Sequence, residues 1–176
     1  MRRLVLKQLA LGAAMIAAGC KKPVRVKADA APDEEPGLKS VVAMADVAAS
    51  MQLVRGFHAL EDKSWRWTEG RFAATIRPPL HAEKNGASLF VKFTAAAPLI
   101  ERVPAFTLTA NVNGTAIPGE TYSKVGEYVY RQNVPASALQ KDAVTVEFAM
   151  DKFLAAGQVE GRELGLIVHA LGLESM

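Results

Sequence analysis

The chain has 176 residues, half of them apolar, and a single cysteine. This length and composition predict one folded domain with a core of its own. The formal net charge is +3, but Arg2, Arg3 and Lys7 lie in a segment that we expect to be cleaved. Removing these three from the 21 basic residues leaves 18, which equals the 18 acidic residues. The mature protein is therefore neutral and lacks the basic surface that nucleic-acid binding requires.

Residues 1–19 have the pattern of a lipoprotein signal peptide. A short positive region precedes an apolar run over 9–18, which is too short for a membrane span of roughly 20 residues. Cys20 follows at the position of the lipobox cysteine, so we expect cleavage before it and acylation of its thiol. Ala17 stands where lipoboxes usually carry Leu. The alternative is an ordinary signal peptide followed by a coincidental cysteine.

The predicted location is the cell envelope, with the protein held on a membrane by its lipid. Arg2-Arg3 and the residues after it resemble a twin-arginine export motif, with the general secretion route as the alternative. Lys21 and Lys22 follow the cysteine where an Asp would signal inner-membrane retention, which favours the outer membrane. Residues 20–37 contain three prolines and almost no bulky apolar side chain, which predicts a flexible tether. The folded domain would face the periplasm or the cell surface.

Residues 38–176 show the period-two alternation of β-strands. Residues 38–53 fit either a short amphipathic helix or an extended lead-in, and 135–141 predict a single helical turn. The sequence Asn113-Gly114 predicts a type I′ hairpin, because both residues accept a positive φ. The last run is apolar on both faces, which is typical of a strand covered on both sides. The strands are predicted at 53–60, 71–77, 89–93, 106–112, 115–117, 127–134, 144–150 and 164–171.

About eight short strands with almost no helix predict an all-β protein, an antiparallel β-sandwich. Three segments then carry a resemblance to a known family. They are Val54-Arg55-Gly56-Phe57-His58 with Leu60-Glu61, Trp65-Arg66-Trp67-Thr68, and Arg162-Glu163-Leu164-Gly165-Leu166. The pattern resembles a family of bacterial secreted lipoproteins, of the acidobacterial type. Their jelly-roll domain is similar to carbohydrate-binding-like modules found beside envelope glycosyltransferases. The resemblance covers about 53–173 and implies a jelly roll, with no catalytic residues to carry over.

Both tryptophans of the chain lie two residues apart, so in a strand Trp65 and Trp67 share one face and Arg66 lies on the other. A flat indole can stack on a sugar ring while polar neighbours hold its hydroxyl groups. This predicts a ligand-binding site at Trp65, Arg66 and Trp67, with Tyr128 and Tyr130 as further aromatic contacts near a sheet rim. The alternative is that the indoles fill the core and the tyrosines cap its edge.

Arg66 and Glu163 are polar residues within apolar strand patterns. We expect them to pair across the strands through a bidentate contact; the alternative for Arg66 is a ligand carboxylate or a sugar hydroxyl. The histidines at 58, 81 and 169 have no metal-binding spacing, so no metal and no cofactor are predicted. No nucleophile motif is present, so the protein is predicted not to be an enzyme.

The predicted function is that of a lipid-anchored envelope protein with a non-catalytic binding module for carbohydrate or another envelope polymer. This rests on fold analogy. The alternative is a structural or assembly lipoprotein that docks another envelope protein through a sheet face or edge. The predicted partners are the membrane, through the anchor, and either a glycan or an envelope protein. A sugar site needs exposed aromatic rings in a groove, whereas docking needs an exposed apolar patch or a free strand edge.

Overall fold

The computed structural model describes residues 37–176. The predicted signal peptide, Cys20 and almost all of the predicted tether lie outside the described residues. The described part is an all-β antiparallel sandwich, as the alternation predicts. Its strands are β1 (Val41–Ala43), β2 (Leu53–Phe57), β3 (Arg66–Ile76), β4 (Ala87–Ala95), β5 (Phe106–Val112), β6 (Thr115–Tyr122), β7 (Gly126–Val134), β8 (Val144–Met150) and β9 (Ile167–Ser175).

The helical elements are short. Two 3-10 helices span Ala48–Gln52 and Ala136–Ala138, and two α-helices span Ala82–Asn85 (α1) and Ala97–Arg102 (α2). The turn at Ala136–Ala138 confirms the predicted single turn, while 38–53 contains both a short strand and a helical turn. Over residues 37–176, no helix is long and apolar enough to cross a bilayer.

Strand β3 belongs to both sheets of the sandwich. Its first residues, Arg66 and Trp67, pair with β9, whereas residues 71–76 pair with β8. Sheet A contains β1 and the start of β3 beside β9, followed by β4 and β7. Sheet B contains β2, the rest of β3, β8, β5 and β6 in that order. Strands β1 and β3 pair with β9, β3 also pairs with β8, and β4 pairs with β7. This pairing of strands from the two ends of the chain is a jelly-roll arrangement.

The core lies between the two sheets and is formed by the alternate residues of each strand. Phe72 and Phe148 stack with ring centroids 4.9 Å apart. Tyr122 packs edge-on against Phe93 at 5.0 Å. The apolar residues of the period-two alternation around these rings therefore form the core.

The hairpin at Asn113 and Gly114 is confirmed, because their φ angles are 48° and 87°. The strand after it is longer than predicted. It was expected to stop at Pro118-Gly119, but a register irregularity there lets β6 continue to Tyr122. A bulge of this kind absorbs residues that cannot join the ladder.

Strand β9 begins later and ends later than predicted; one of its faces is buried in the core and the other is mostly half-buried. Val168, Leu171 and Leu173 are buried in the core, but His169 and Ala170 are only half-buried. The expectation that this strand is covered on both sides is therefore wrong. Its second face belongs to the outer surface of sheet A.

Two tyrosines predicted as ligand contacts face the interior. Tyr130 has 0% of its surface exposed, and its hydroxyl donates a hydrogen bond to Pro118 O over 2.6 Å. Tyr128 is half-buried against the core and donates to Lys124 O over 3.0 Å. Tyr130 is therefore a core residue and not a ligand contact, while Tyr128 is partly exposed.

Burial raises the pKa of Tyr130 to about 12, against about 10 in an unfolded chain. Burial disfavours only the phenolate form, so the contribution of Tyr130 to the free energy of unfolding is complete below pH 10. It falls as the pH rises from 10 towards 12, by up to about 1.4 kcal/mol per pH unit. Tyr130→Phe is expected to remove this loss while costing about 1 kcal/mol at pH 7, from the lost hydrogen bond.

Urea unfolding at pH 7, 10 and 11.5 measures both effects. Burial also raises the pKa of Tyr122, but that residue is present in both proteins and cancels in the comparison. A variant that loses stability above pH 10 as steeply as the parent would contradict the prediction.

Candidate functional site

The segments that carry the family resemblance meet where β3 passes from sheet A to sheet B. Thr68 is fully buried. Its backbone forms hydrogen bonds with residues 165 and 166, which precede β9, and not with a strand. Thr68 N donates to Leu166 O over 2.8 Å, and Gly165 N donates to Thr68 O over 2.6 Å. The Thr68 hydroxyl also accepts a bond from Leu166 N at 3.0 Å. Gly70 lies two residues after Thr68, and its backbone N–H donates a hydrogen bond of 2.8 Å to the carboxylate of Glu163. We call these five residues the β3 junction.

Arg66 and Glu163 do not form the predicted ion pair. Arg66 Nη1 donates instead to His58 O over 2.9 Å, and the Glu163 carboxylate is turned to Gly70. His58 stands between them, with its Nε2 atom 2.6 Å from Glu163 O. Glu163 turns to Gly70 and not to Arg66 because the backbone N–H of Gly70 is buried and needs an acceptor. Glu163 therefore has a structural role, although with a different partner from the one expected.

Replacing Glu163 tests this role. Glu163→Ala leaves the Gly70 N–H without its acceptor, and we expect a loss of about 1–3 kcal/mol in the free energy of unfolding. Glu163→Gln keeps an acceptor oxygen and should cost less than about 1 kcal/mol. Chemical unfolding of both variants measures the difference; equal losses would show that the Gly70 contact contributes nothing.

The outer face of sheet A carries the residues best suited to hold a ligand. Trp67, Ile167, Thr94 and Glu127 pair in one row across β3, β9, β4 and β7. They face outward because the neighbouring row, which includes Val168, is buried in the core. Strands lie about 4.8 Å apart, so this row spans roughly 14 Å. Such a row is long enough for an extended ligand.

Trp67 lies at one end of this face, and the ring of Trp65, which immediately precedes β3, packs against it at a corner. Their ring centroids are 6.4 Å apart and their planes meet at 83°, so they present one flat face and one edge rather than a continuous platform. Both are half-buried. Trp67 also packs against the core, whereas Trp65 is not among the residues that do. Trp67 therefore contributes to packing and both rings are partly exposed, while ligand binding by the two indoles stays a prediction.

A groove of about 440 Å³ lies on the same face towards β7. Its polar side chains are a lysine, a glutamate and a histidine, and Val129 in it is 46% exposed. A lining that mixes apolar and polar groups is usual for sites that bind small polar ligands. The groove is lined by Lys92, Phe93, Glu127, Tyr128, Val129 and His169.

His169 reaches this groove because of a bulge in β9. Lys92 pairs with Ala170 but Phe93 pairs with Val168, so His169 is the extra residue. Its Nε2 atom lies 2.9 Å from the Thr94 hydroxyl, which fixes the ring beside the groove. Bulges often aim one side chain at a site in this way.

A buried aromatic ring supports the next part of the face. Phe90 points outward yet is only 1% exposed. The guanidinium of Arg131 lies over its ring at 5.4 Å, and Arg131 is in turn held by Glu174 at 2.7 Å and by Ser88 at 3.0 Å. The outer face of sheet A is therefore an ordered surface with aromatic, charged and hydroxyl groups.

Sequence reasoning missed His169, Thr94 and Glu127 as site residues. The alternation identifies Lys92 as outward, but which strands lie side by side is not encoded locally. The spacing of the histidines bears on metal binding alone and gives no signal for His169 at a binding face. Within residues 37–176, no group of three or more His, Cys, Asp or Glu side chains could hold a metal ion.

No family model matches this chain, and no curated protein matches it. Among solved structures it is similar to the CBM36-1 domain of a multidomain xylanase from the hindgut metagenome of Trinervitermes trinervoides. That similarity has 10% identity and a TM-score of 0.40, and covers 77% of this chain and 96% of that one. A second similar structure is described as CBM4 structure and function, with 11% identity, a TM-score of 0.32 and coverage of 76% and 81%. Similarity at this level carries no functional argument.

Proposed function

We propose that this is a lipid-anchored protein of the cell envelope whose β-sandwich is a non-catalytic carbohydrate-binding module. The binding surface is the outer face of sheet A. The observation that carries the proposal is that Trp67, with the ring of Trp65 packed against it, shares this face with the groove of Lys92, Glu127 and His169. Aromatic rings supply the apolar contact that a sugar ring needs, and charged side chains supply partners for its hydroxyl groups.

The shape of the indole corner suits one sugar unit of a polymer. A pyranose can lie flat on one indole while its edge meets the other ring, because the two planes are nearly perpendicular. The groove begins farther along the same face, where Lys92 and Glu127 offer a donor and an acceptor. A chain of sugars running from β3 to β7 would contact both parts. A glycan or envelope polysaccharide is therefore the proposed ligand class.

The anchor is supported by the sequence alone. Cys20 follows an apolar segment of secretory length, and two or more acyl chains hold a protein stably on a membrane. The location, the outer membrane in preference to the inner, rests on Lys21 and Lys22. The folded domain would be held at the end of a tether of about 17 residues.

A second candidate is the docking of another envelope protein. Strand β2 pairs only with β3 among the described strands, so its other edge is open. Val47, Met51 and Val54 beside it are 73%, 75% and 56% exposed. An open strand edge with apolar neighbours is a surface that proteins use for pairing.

Measuring glycan binding by the Trp65→Ala variant distinguishes carbohydrate binding from the docking of another protein. In the mature chain with Cys20→Ser, we expect one member of a panel of envelope glycans to bind and to suppress acrylamide quenching of tryptophan fluorescence. Losing an indole that covers a sugar ring removes about 1.5–3 kcal/mol, so Trp65→Ala should weaken binding by about tenfold to a hundredfold. Its stability should change little, because Trp65 lies outside the core.

Val54→Ala is the matched control, since it removes an exposed apolar side chain on the other sheet. Glycan affinity should be unchanged in this variant. Binding that survives Trp65→Ala, or a panel of glycans without any effect on quenching, would refute the sugar-binding proposal. Pull-down of an envelope protein that Val54→Ala abolishes would instead support docking.

Cys20→Ser tests the anchor in the producing cell. The parent protein is expected in the detergent phase of a Triton X-114 separation, with a mass increase from its acyl chains. The variant lacks the thiol that forms the thioether and should move to the aqueous phase. A parent protein that is found in the aqueous phase with an unmodified Cys20 would contradict lipid anchoring.

A further inference from the structure

A second groove, of about 350 Å³, lies on the outer face of sheet B, on the opposite side of the sandwich from the indoles. It is lined by Arg55, Arg71, Thr109, Ala110, Asn111, Ala116, Ile117, Glu147, Phe148 and Ala149. Its floor is low because small side chains stand in the middle of the sheet. Ala73 faces outward between Arg55 and Glu147, and Ala149 stands between Arg71 and Thr109.

The arginines of this groove differ in their pairing. Arg55 forms an ion pair with Glu147 at 2.6 Å. Arg71 is exposed, and among the residues that the structure describes it has no ion-pair or hydrogen-bond partner. Arg71 lies two residues before Ala73 on β3, so it stands about 7 Å along the strand from the row that contains Arg55. The groove thus has a net positive charge and one guanidinium that is open to an anion.

The other polar side chains of this groove indicate which further groups a ligand of Arg71 would carry. Asn111 uses its Oδ1 atom to accept a bond from Gly114 N at 2.7 Å, so its amide Nδ2 remains as a donor. Glu147 keeps acceptor capacity beyond Arg55, because a carboxylate can accept about four hydrogen bonds. A suitable ligand therefore carries one negative charge for Arg71 and hydroxyl donors for Glu147.

We propose that this groove, the Arg71 groove, binds a uronic-acid unit of an acidic polysaccharide. A uronate has one carboxylate, which suits the planar fork of an arginine, and several hydroxyls on the same ring. A polyphosphate backbone fits less well, since each further negative charge would approach Glu147. The flat alanine floor offers no pocket for the side chain of a peptide. The site is separate from the outer face of sheet A and does not depend on sugar binding there.

The test measures binding to the mature chain with Cys20→Ser by isothermal titration calorimetry. The ligands are trisaccharides of galacturonate, glucuronate and mannuronate, and each is compared with its methyl ester. At least one free acid is expected to bind, and its ester, which lacks the charge, should bind at least tenfold more weakly. Arg71→Ala should weaken binding of the acid at least tenfold. Arg102→Ala, which removes an exposed arginine on α2, is the matched control and should change affinity less than twofold.

Each outcome decides the proposal. Binding of the acid that Arg71→Ala abolishes and Trp65→Ala leaves unchanged supports a separate acidic-sugar site. Binding that Trp65→Ala abolishes and Arg71→Ala leaves unchanged places the sugar on sheet A and overturns the Arg71 groove. Equal binding of acid and ester, or no binding by any of the three acids at millimolar concentration, also overturns it.

Discussion

The passage of β3 from one sheet to the other is the constraint on which the rest of the molecule depends. A strand that leaves its ladder exposes buried backbone groups that must find other partners. Here Thr68 and Gly70 find them in the loop before β9, through two backbone bonds, one hydroxyl and the Glu163 carboxylate. Gly70 and Gly165 are needed because added Cβ atoms would lie 2.1 Å from the Phe153 ring and 2.7 Å from Glu69 O. The junction holds both sheets in register.

This arrangement leaves the outer faces of both sheets outside the packing of the core. Because the junction and the core supply the stability, the outward residues of both sheets are free to vary. Sheet A uses this freedom for two indoles and a groove with Lys92, Glu127 and His169. Sheet B instead has small residues in its centre and arginines at the side, and the two faces consequently differ in the chemistry they offer.

Much of the fold could be predicted from the sequence, because alternation is a local property. The hairpin at Asn113 and Gly114 and the inward faces around Phe72 and Phe93 follow from neighbouring residues alone. The partner of Glu163 could not be predicted, since it depends on where β3 changes sheets. His169 could not be placed either, because a bulge shifts it by one position relative to the simple alternation. The candidate sites combine residues from four or five strands, and their assembly depends on sheet order.

The first and last strands of the described domain are hydrogen-bonded to each other. Leu173 N donates to Ser40 O over 2.8 Å, and Met44 N donates to His169 O over 2.9 Å. Tension on the backbone at residue 38 therefore falls first on Lys39, which is hydrogen-bonded to Gln52 and Arg77, and then on the short ladder between β1 and β9. The same ladder ends at the residue whose ring borders the groove on sheet A. A pull on the backbone ahead of β1 and a contact made in that groove would thus act on one strand, β9, from opposite sides.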